Sequence, residues 1–167
     1  MRVYLLRHAL PNPDFPDSND GLGVEGRDRA TAVARFLANS GQFLPDEIWH
    51  SPLPRSRTTA EIIKKVVGGD FTLVEREDML PQSVTDSCFR DLCETVRSVA
   101  VVGHLPQLKT LFFRMQGRSD QECWEIAKNG VCCMNGMDYV DSNGIGTRTW
   151  SLFYMISPGM IYDSGFL

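Results

Sequence analysis

The chain lacks the features that mark several protein classes. No apolar run approaches the ~20 residues needed to cross a bilayer, so a membrane span is excluded. No basic-then-apolar leader pattern precedes the first apolar run, and the expected location is cytoplasmic. Basic excess is missing too: 17 Lys and Arg stand against 21 Asp and Glu, a net charge of −4. That balance argues against nucleic acid or a membrane surface as a partner and requires any anion site to be a local basic pocket. Cysteine is sparse and odd in number (Cys88, Cys93, Cys123, Cys132, Cys133), without C-x-x-C spacing, which reads as reduced thiols rather than a disulfide framework or zinc knot. Internal repeats, low-complexity tracts and linkers are also lacking. With 43% hydrophobic residues over 167 positions, the chain has the material for one folded domain, 1–167.

What is present is a βα alternation. Residues 2–7 read as a buried strand that ends in Arg7-His8. The Pro- and Asp-rich stretch Leu10–Gly23 reads as a loop at its carboxyl end. Ala30, Val33, Ala34 and Leu37 follow helical spacing, so Glu25–Asn39 is expected to be a helix stopped near Gly41. Glu47–His50 is a short strand, and a helix opening near Pro52 or Pro54 packs through Ile62, Ile63, Val66 and Val67. Phe71–Val74 reads as a strand near the sheet edge. Phe89, Leu92, Cys93 and Val96 mark a further helix, and Val99–Gly103 a strongly buried strand ending at His104. Pro106 starts a helix with Leu108, Leu111, Phe112 and Met115 inside. Val131–Tyr139 and Thr147–Tyr154 read as strands joined through Asp141-Ser142-Asn143-Gly144, a hairpin signal. The expected fold is α/β: a three-layer α/β/α sandwich on a mostly parallel sheet, with a β-rich C-terminal end. The sequence assigns no role to the tail Ser157–Leu167.

Two strands that each deliver an imidazole at the carboxyl end suit a site at the switch point of an open α/β sheet. A neutral imidazole at His8 can attack phosphorus and hold the phosphoryl group covalently. Arg7 adds a guanidinium beside it. Arg55, in the first turn after Ser51-Pro52-Leu53-Pro54, adds a fork where the helix end already favours an anion. Arg57 would face away, into an ion-paired surface role. His104, charged, would hold a nonbridging oxygen and stabilise the transition state.

Arg7-His8-Ala9, Ser51-Pro52-Leu53-Pro54-Arg55 and Gly103-His104-Leu105-Pro106 together resemble the histidine phosphatase superfamily, the phosphoglycerate-mutase-like fold. Their order and spacing are similar to its short phosphohistidine phosphatase branch. Leu22-Gly23-Val24-Glu25-Gly26 resembles that family's first helix entry. Two departures are Ala9, where Gly is commonest, and Gly23, a weaker N-cap than the usual Thr. The resemblance implies that His8 is the phosphorylated nucleophile and that Arg7, Arg55 and His104 bind the phosphoryl group. Related phosphatases of alkyl esters use a carboxyl group after the third strand as proton donor. Here Glu75, Glu77 and Asp78 are available, and Glu77 aligns best.

The expected activity is therefore a cofactor-independent phosphatase, with a phosphohistidine protein as preferred substrate. A small phosphomonoester is the alternative substrate, and a non-catalytic phosphate-binding adaptor the alternative role. The expected partner is a phosphorylated protein or small phosphorylated metabolite, and the expected state a monomer or weak homodimer. His50 also ends a strand, which raises a divalent-metal site on three histidines. Arg7 and Arg55 would repel a dication, so no metal is expected and His50 reads as a polar residue at the pocket rim.

Overall fold

Parity along the first strand, β1 (Arg2–Arg7), decides the layers. Val3 and Leu5 enter one apolar cluster and Tyr4 and Leu6 the other, because successive strand side chains point to opposite faces. β4 (Val99–Gly103) divides in the same way, with Val99 and Val101 on the first face and Ala100 and Val102 on the second. The computed structural model describes residues 1–14, 21–118, 125–140, 142–144 and 146–162.

The remaining elements follow the expected alternation. In chain order they include α1 (Val24–Ser40), β2 (Glu47–His50), α2 (Pro54–Val67) and β3 (Thr72–Glu75). A 3-10 turn (Glu77–Met79) and α3 (Asp86–Glu94) lead into β4, which is followed by α4 (Gln107–Met115). β5 (Val131–Val140), β6 (Gly146–Ile156) and α5 (Pro158–Tyr162) complete the set. One six-stranded sheet runs β3-β2-β4-β1-β5-β6, with the first four strands parallel and β5 and β6 antiparallel. Leu92 of α3 and Leu108, Leu111 and Phe112 of α4 fill the first face. Val33 and Leu37 of α1, Ile63 of α2 and Ile161 of α5 fill the second. The three-layer expectation is met, and β3 lies at an edge as read. Among the described residues, no helix is long and apolar enough to cross a membrane.

The structure departs from the sequence reading in three places. Val96 is not part of the third helix: α3 stops at Glu94, Thr95 turns extended, and Val96 is 82% exposed. The reason is tertiary. Arg148 from β6 donates to the carbonyls of Leu92 and Thr95, which satisfies the helix end where it stands. Pro158–Tyr162 forms a short helix on α1, tied by Tyr162 Oη donating to Arg29 O at 3.1 Å. β6 is longer than read, and its pairing with β5 shifts register at Cys133/Met134. Four cysteines are free thiols, three of them buried, while Cys123 lies outside the described residues. So do Asp141 of the hairpin turn, residues 15–20 of the acidic loop and Phe166-Leu167.

Two glycines permit close approaches around the carboxyl ends of the central strands. Gly21, at φ +65°, passes so near Pro54 that a methyl would lie 2.5 Å from backbone atoms. In α1, a methyl at Gly26 would lie 2.0 Å from Leu10 O, so this glycine lets the helix seat against the segment just beyond His8. Gly26→Ala should therefore lower unfolding stability by about 1–3 kcal/mol, the usual cost of overpacking against an unyielding neighbour. Urea denaturation checks this, and an unchanged midpoint would show that the contact yields freely.

Candidate active site

Register brings the two histidines together. Arg7 pairs with Gly103 in the parallel β1–β4 ladder, so the next residues, His8 and His104, leave the sheet side by side. The His8 backbone N–H donates to Gly103 O at 3.0 Å, and the two rings stand 4.8 Å apart, tilted by 50°. Both residues are buried, 7% and 2% exposed.

The proton on His8 can be assigned from its partner. Nδ1 lies 2.7 Å from Ala9 O, and a carbonyl only accepts, so Nδ1 carries the hydrogen. Burial, and then the charges of Arg55, Arg7 and Lys128, push the imidazole pKa down to about 4 against the opposing pull of that hydrogen bond. At neutral pH, Nε2 therefore keeps its lone pair. His104 is pushed down further, to about 3, by burial and then by His8, Arg55 and Arg7. Crowded by cations and shielded from water, the ring is held toward its neutral form. Its Nε2 lies 2.9 Å from Ser51 Oγ, while Nδ1 is buried and has no hydrogen-bond partner among the described residues.

Backbone holds the Arg7 guanidinium and the turn that carries Arg55. Arg7 donates from Nη1 to Ile126 O at 3.0 Å, leaving its buried Nε without a partner among the described residues. Arg55 follows Pro54 at the start of α2, in a turn tied down by two serines. Ser51 Oγ accepts from Leu53 N–H at 3.1 Å, and Ser56 Oγ donates to Val102 O of β4 at 2.7 Å. Thr59 links this helix to the histidine: its hydroxyl accepts from Ala9 N–H at 3.0 Å and donates to Arg55 O at 2.7 Å. The methyl of Ala9 packs with Leu22 and Ala30, which explains why alanine is accommodated beside His8.

The structure thus joins Arg7, His8, Arg55 and His104, while two of the acidic candidates are engaged in ion pairs elsewhere. Glu75 pairs with Arg57 at 2.6 Å, which also gives Arg57 the surface role read for it. Asp78 pairs with Arg76 at 2.7 Å. Glu77 is exposed after β3, and among the described residues nothing bonds its carboxylate. His50 is buried rather than at a rim, with Nδ1 3.0 Å from Ser51 O. Among the described residues, no three His, Cys, Asp or Glu side chains cluster as a metal site would.

Sequence reasoning missed the loop before β5. Asn129 takes the left-handed conformation at φ 65°, and its N–H reaches Arg7 O at 3.1 Å and His8 O at 3.4 Å. Gly130 O accepts from Arg7 N–H. The Asn129-Gly130 pair is a turn signal, since Asn tolerates this conformation better than most residues.

Comparisons with known proteins agree with the architecture. Residues 3–80 match the histidine phosphatase superfamily (branch 1). No curated protein matches the sequence. The protein histidine phosphatase SixA in complex with tungstate is 19% identical with a TM-score of 0.74, covering 95% of this chain and 97% of that one. SixA from Agrobacterium tumefaciens is 24% identical, TM-score 0.70, over 94% of this chain and 97% of its own. Phosphoserine phosphatase from Entamoeba histolytica, bound to 3-phosphoglyceric acid, is 17% identical, TM-score 0.61, over 93% and 96%. At these identities the structural likeness is one of fold.

The depressed imidazoles make stability depend on pH. In the unfolded chain they titrate near 6.5; in the folded chain His8 titrates at about 4 and His104 at about 3. Across that window the unfolded state binds more protons, so stability rises with pH and is lost as pH falls below about 6.5. The urea midpoint should drop between about pH 7 and about pH 4.5, and less steeply in a His8→Asn/His104→Asn double variant. Parallel curves would mean that other groups carry the dependence.

Proposed function

We propose that this chain is a cofactor-independent phosphatase, a reading supported by the match of residues 3–80 to the histidine phosphatase superfamily and by the shared fold. It works through a phosphohistidine on His8, and its preferred substrate is a phosphohistidine side chain of a protein. The observation that carries this reading is the neutral His8 ring, its Nδ1–H anchored on Ala9 O and its Nε2 lone pair left for attack, among two arginines and a second histidine. The SixA relative that shares the fold was solved with tungstate, a tetrahedral oxyanion of the shape this pocket would receive.

The chemistry follows from the geometry. Nε2 of His8 forms a bond to phosphorus as the bond to the leaving atom breaks, and the leaving group departs with that electron pair. Arg7 and Arg55 hold the equatorial oxygens, where charge accumulates. His104 donates from a ring nitrogen to the same group, and a bound dianion favours the protonated form of that ring. Water then attacks phosphorus, the P–N bond breaks, its electrons return to Nε2, and inorganic phosphate leaves. A phosphoramidate substrate has a leaving nitrogen that carries its own proton, so it needs little help from an acid. This suits a pocket in which, among the described residues, no carboxylate acts on either histidine.

A small phosphomonoester is the second reading, favoured by the exposed carboxylate of Glu77 after β3, which is unpaired among the described residues. An alkoxide leaving group would draw its proton from such an acid. Relative turnover of a phosphohistidine protein and a sugar phosphate separates the two. Preference for the sugar phosphate, lost in Glu77→Gln, would establish the second.

His8→Ala should abolish turnover. After rapid quenching with radiolabelled substrate, an acid-labile, base-stable label should map to His8, and label on any other residue refutes the mechanism. Arg55→Ala should cost about 2–5 kcal/mol in kcat/KM, as loss of one partner of a charged, hydrogen-bonded pair does.

A further inference from the structure

The carboxyl edge of the sheet continues past the histidines. β5 runs antiparallel to β1, so its start stands beside the end of β1, with Val131 paired to Leu6. β6 ends at the same edge, Ile156 opposite Val131. A cavity of about 500 Å³ lies here, walled by Leu10, Arg29, Lys128, Asn129, Pro158 and Tyr162. Strands are spaced about 4.8 Å apart, so this cavity begins roughly one strand width beyond His8, on the side away from Arg55. It is also tied to the proposed nucleophile, since Asn129 N–H bonds His8 O and Leu10 follows two residues later.

Its walls are ordered and cationic. Asn129 Nδ2 donates to Tyr162 Oη at 3.4 Å, and Tyr162 Oη donates to Arg29 O at 3.1 Å. The Arg29 guanidinium lies 5.2 Å over the Tyr162 ring and is already paired with Glu25 at 2.5 Å. Lys128 differs: it is exposed, and among the described residues it has no ion pair or hydrogen bond. Its charge is felt at His8. An unpaired ammonium on an ordered wall, about one strand from His8, is placed to meet the part of the substrate that is not transferred.

We propose that this cavity is a second anion subsite, in which Lys128 receives a carboxylate carried by the substrate about 5–10 Å from its phosphoryl group, one to two strand widths away. The proposal rests on the phosphatase reading and narrows its substrate class to phosphorylated protein segments with an acidic residue beside the phosphorylated one. A phosphoryl group without that flank engages only Arg7, His8, Arg55 and His104.

Two hydrolysis-resistant phosphonate peptides that mimic phosphohistidine, identical except for Glu or Gln beside the mimic, provide the test. Each is titrated calorimetrically into the full chain and into Lys128→Met, a substitution at an exposed position that leaves the core untouched. The Glu peptide should bind the parent about fivefold more tightly, the upper range for a solvent-touched ion pair. That preference should vanish in Lys128→Met and shrink at about 0.5 M salt. Equal affinities in the parent, no binding of either peptide, or a preference that survives in Lys128→Met overturns the subsite. Phosphoramidate hydrolysis, measured in parallel, keeps the two ideas separate. Hydrolysis without peptide preference sinks the subsite alone; preference without hydrolysis sinks the phosphatase reading alone.

Discussion

The parallel pairing of β1 with β4 is the constraint on which the rest of the site depends. It aligns Arg7 with Gly103, and the chain then leaves both strands on the same step, so two imidazoles emerge side by side. Strand side chains alternate, and a slip of one residue would send the two rings to different faces. The apolar clusters hold that register, because both faces of β1 and β4 are buried and a slip would exchange their contents. Packing of the core and geometry of the site are therefore one requirement. A core substitution that loosens β1 against β4 would act on the pocket without touching it.

Around that pair, the protein concentrates positive charge against its own average. The chain carries a net −4, yet Arg7, Arg55 and Lys128 all act on His8. Burial multiplies their effect, since a proton on either ring would sit in a poorly solvated place already occupied by cations. The outcome is two neutral histidines. That state suits a nucleophile at His8, and a bound dianion would supply the counter-charge that the surrounding cations lack. Fixed groups of the chain do much of the positioning: Ala9 O on His8, Ile126 O on Arg7 and the Thr59 hydroxyl that joins Ala9 to Arg55. Such fixed partners cost little to organise when substrate arrives.

The carboxyl edge of the sheet can be viewed as a row. From β2 to β6 it presents Arg55, His104, His8, the Asn129 loop and the start of α5, in an order that chain sequence does not suggest. Antiparallel addition of β5 and β6 turns the amino end of one strand and the carboxyl end of the next toward the same rim. A plain parallel repeat would have put that loop at the opposite edge, far from His8.

Local sequence determined the helices and strands, the histidines at the strand ends and the turn before Arg55. These follow from periodicity, proline placement and burial, which act within a few residues of one another. Tertiary structure decided what depends on distant partners. Arg148 ends α3 before Val96 from more than 50 residues away, and Asn129 buttresses Arg7 and His8 across a strand pair. The charge on His104 belonged to this second group. A histidine in a sequence has no fixed pKa, and only the packed cations and lost water around it make the ring neutral.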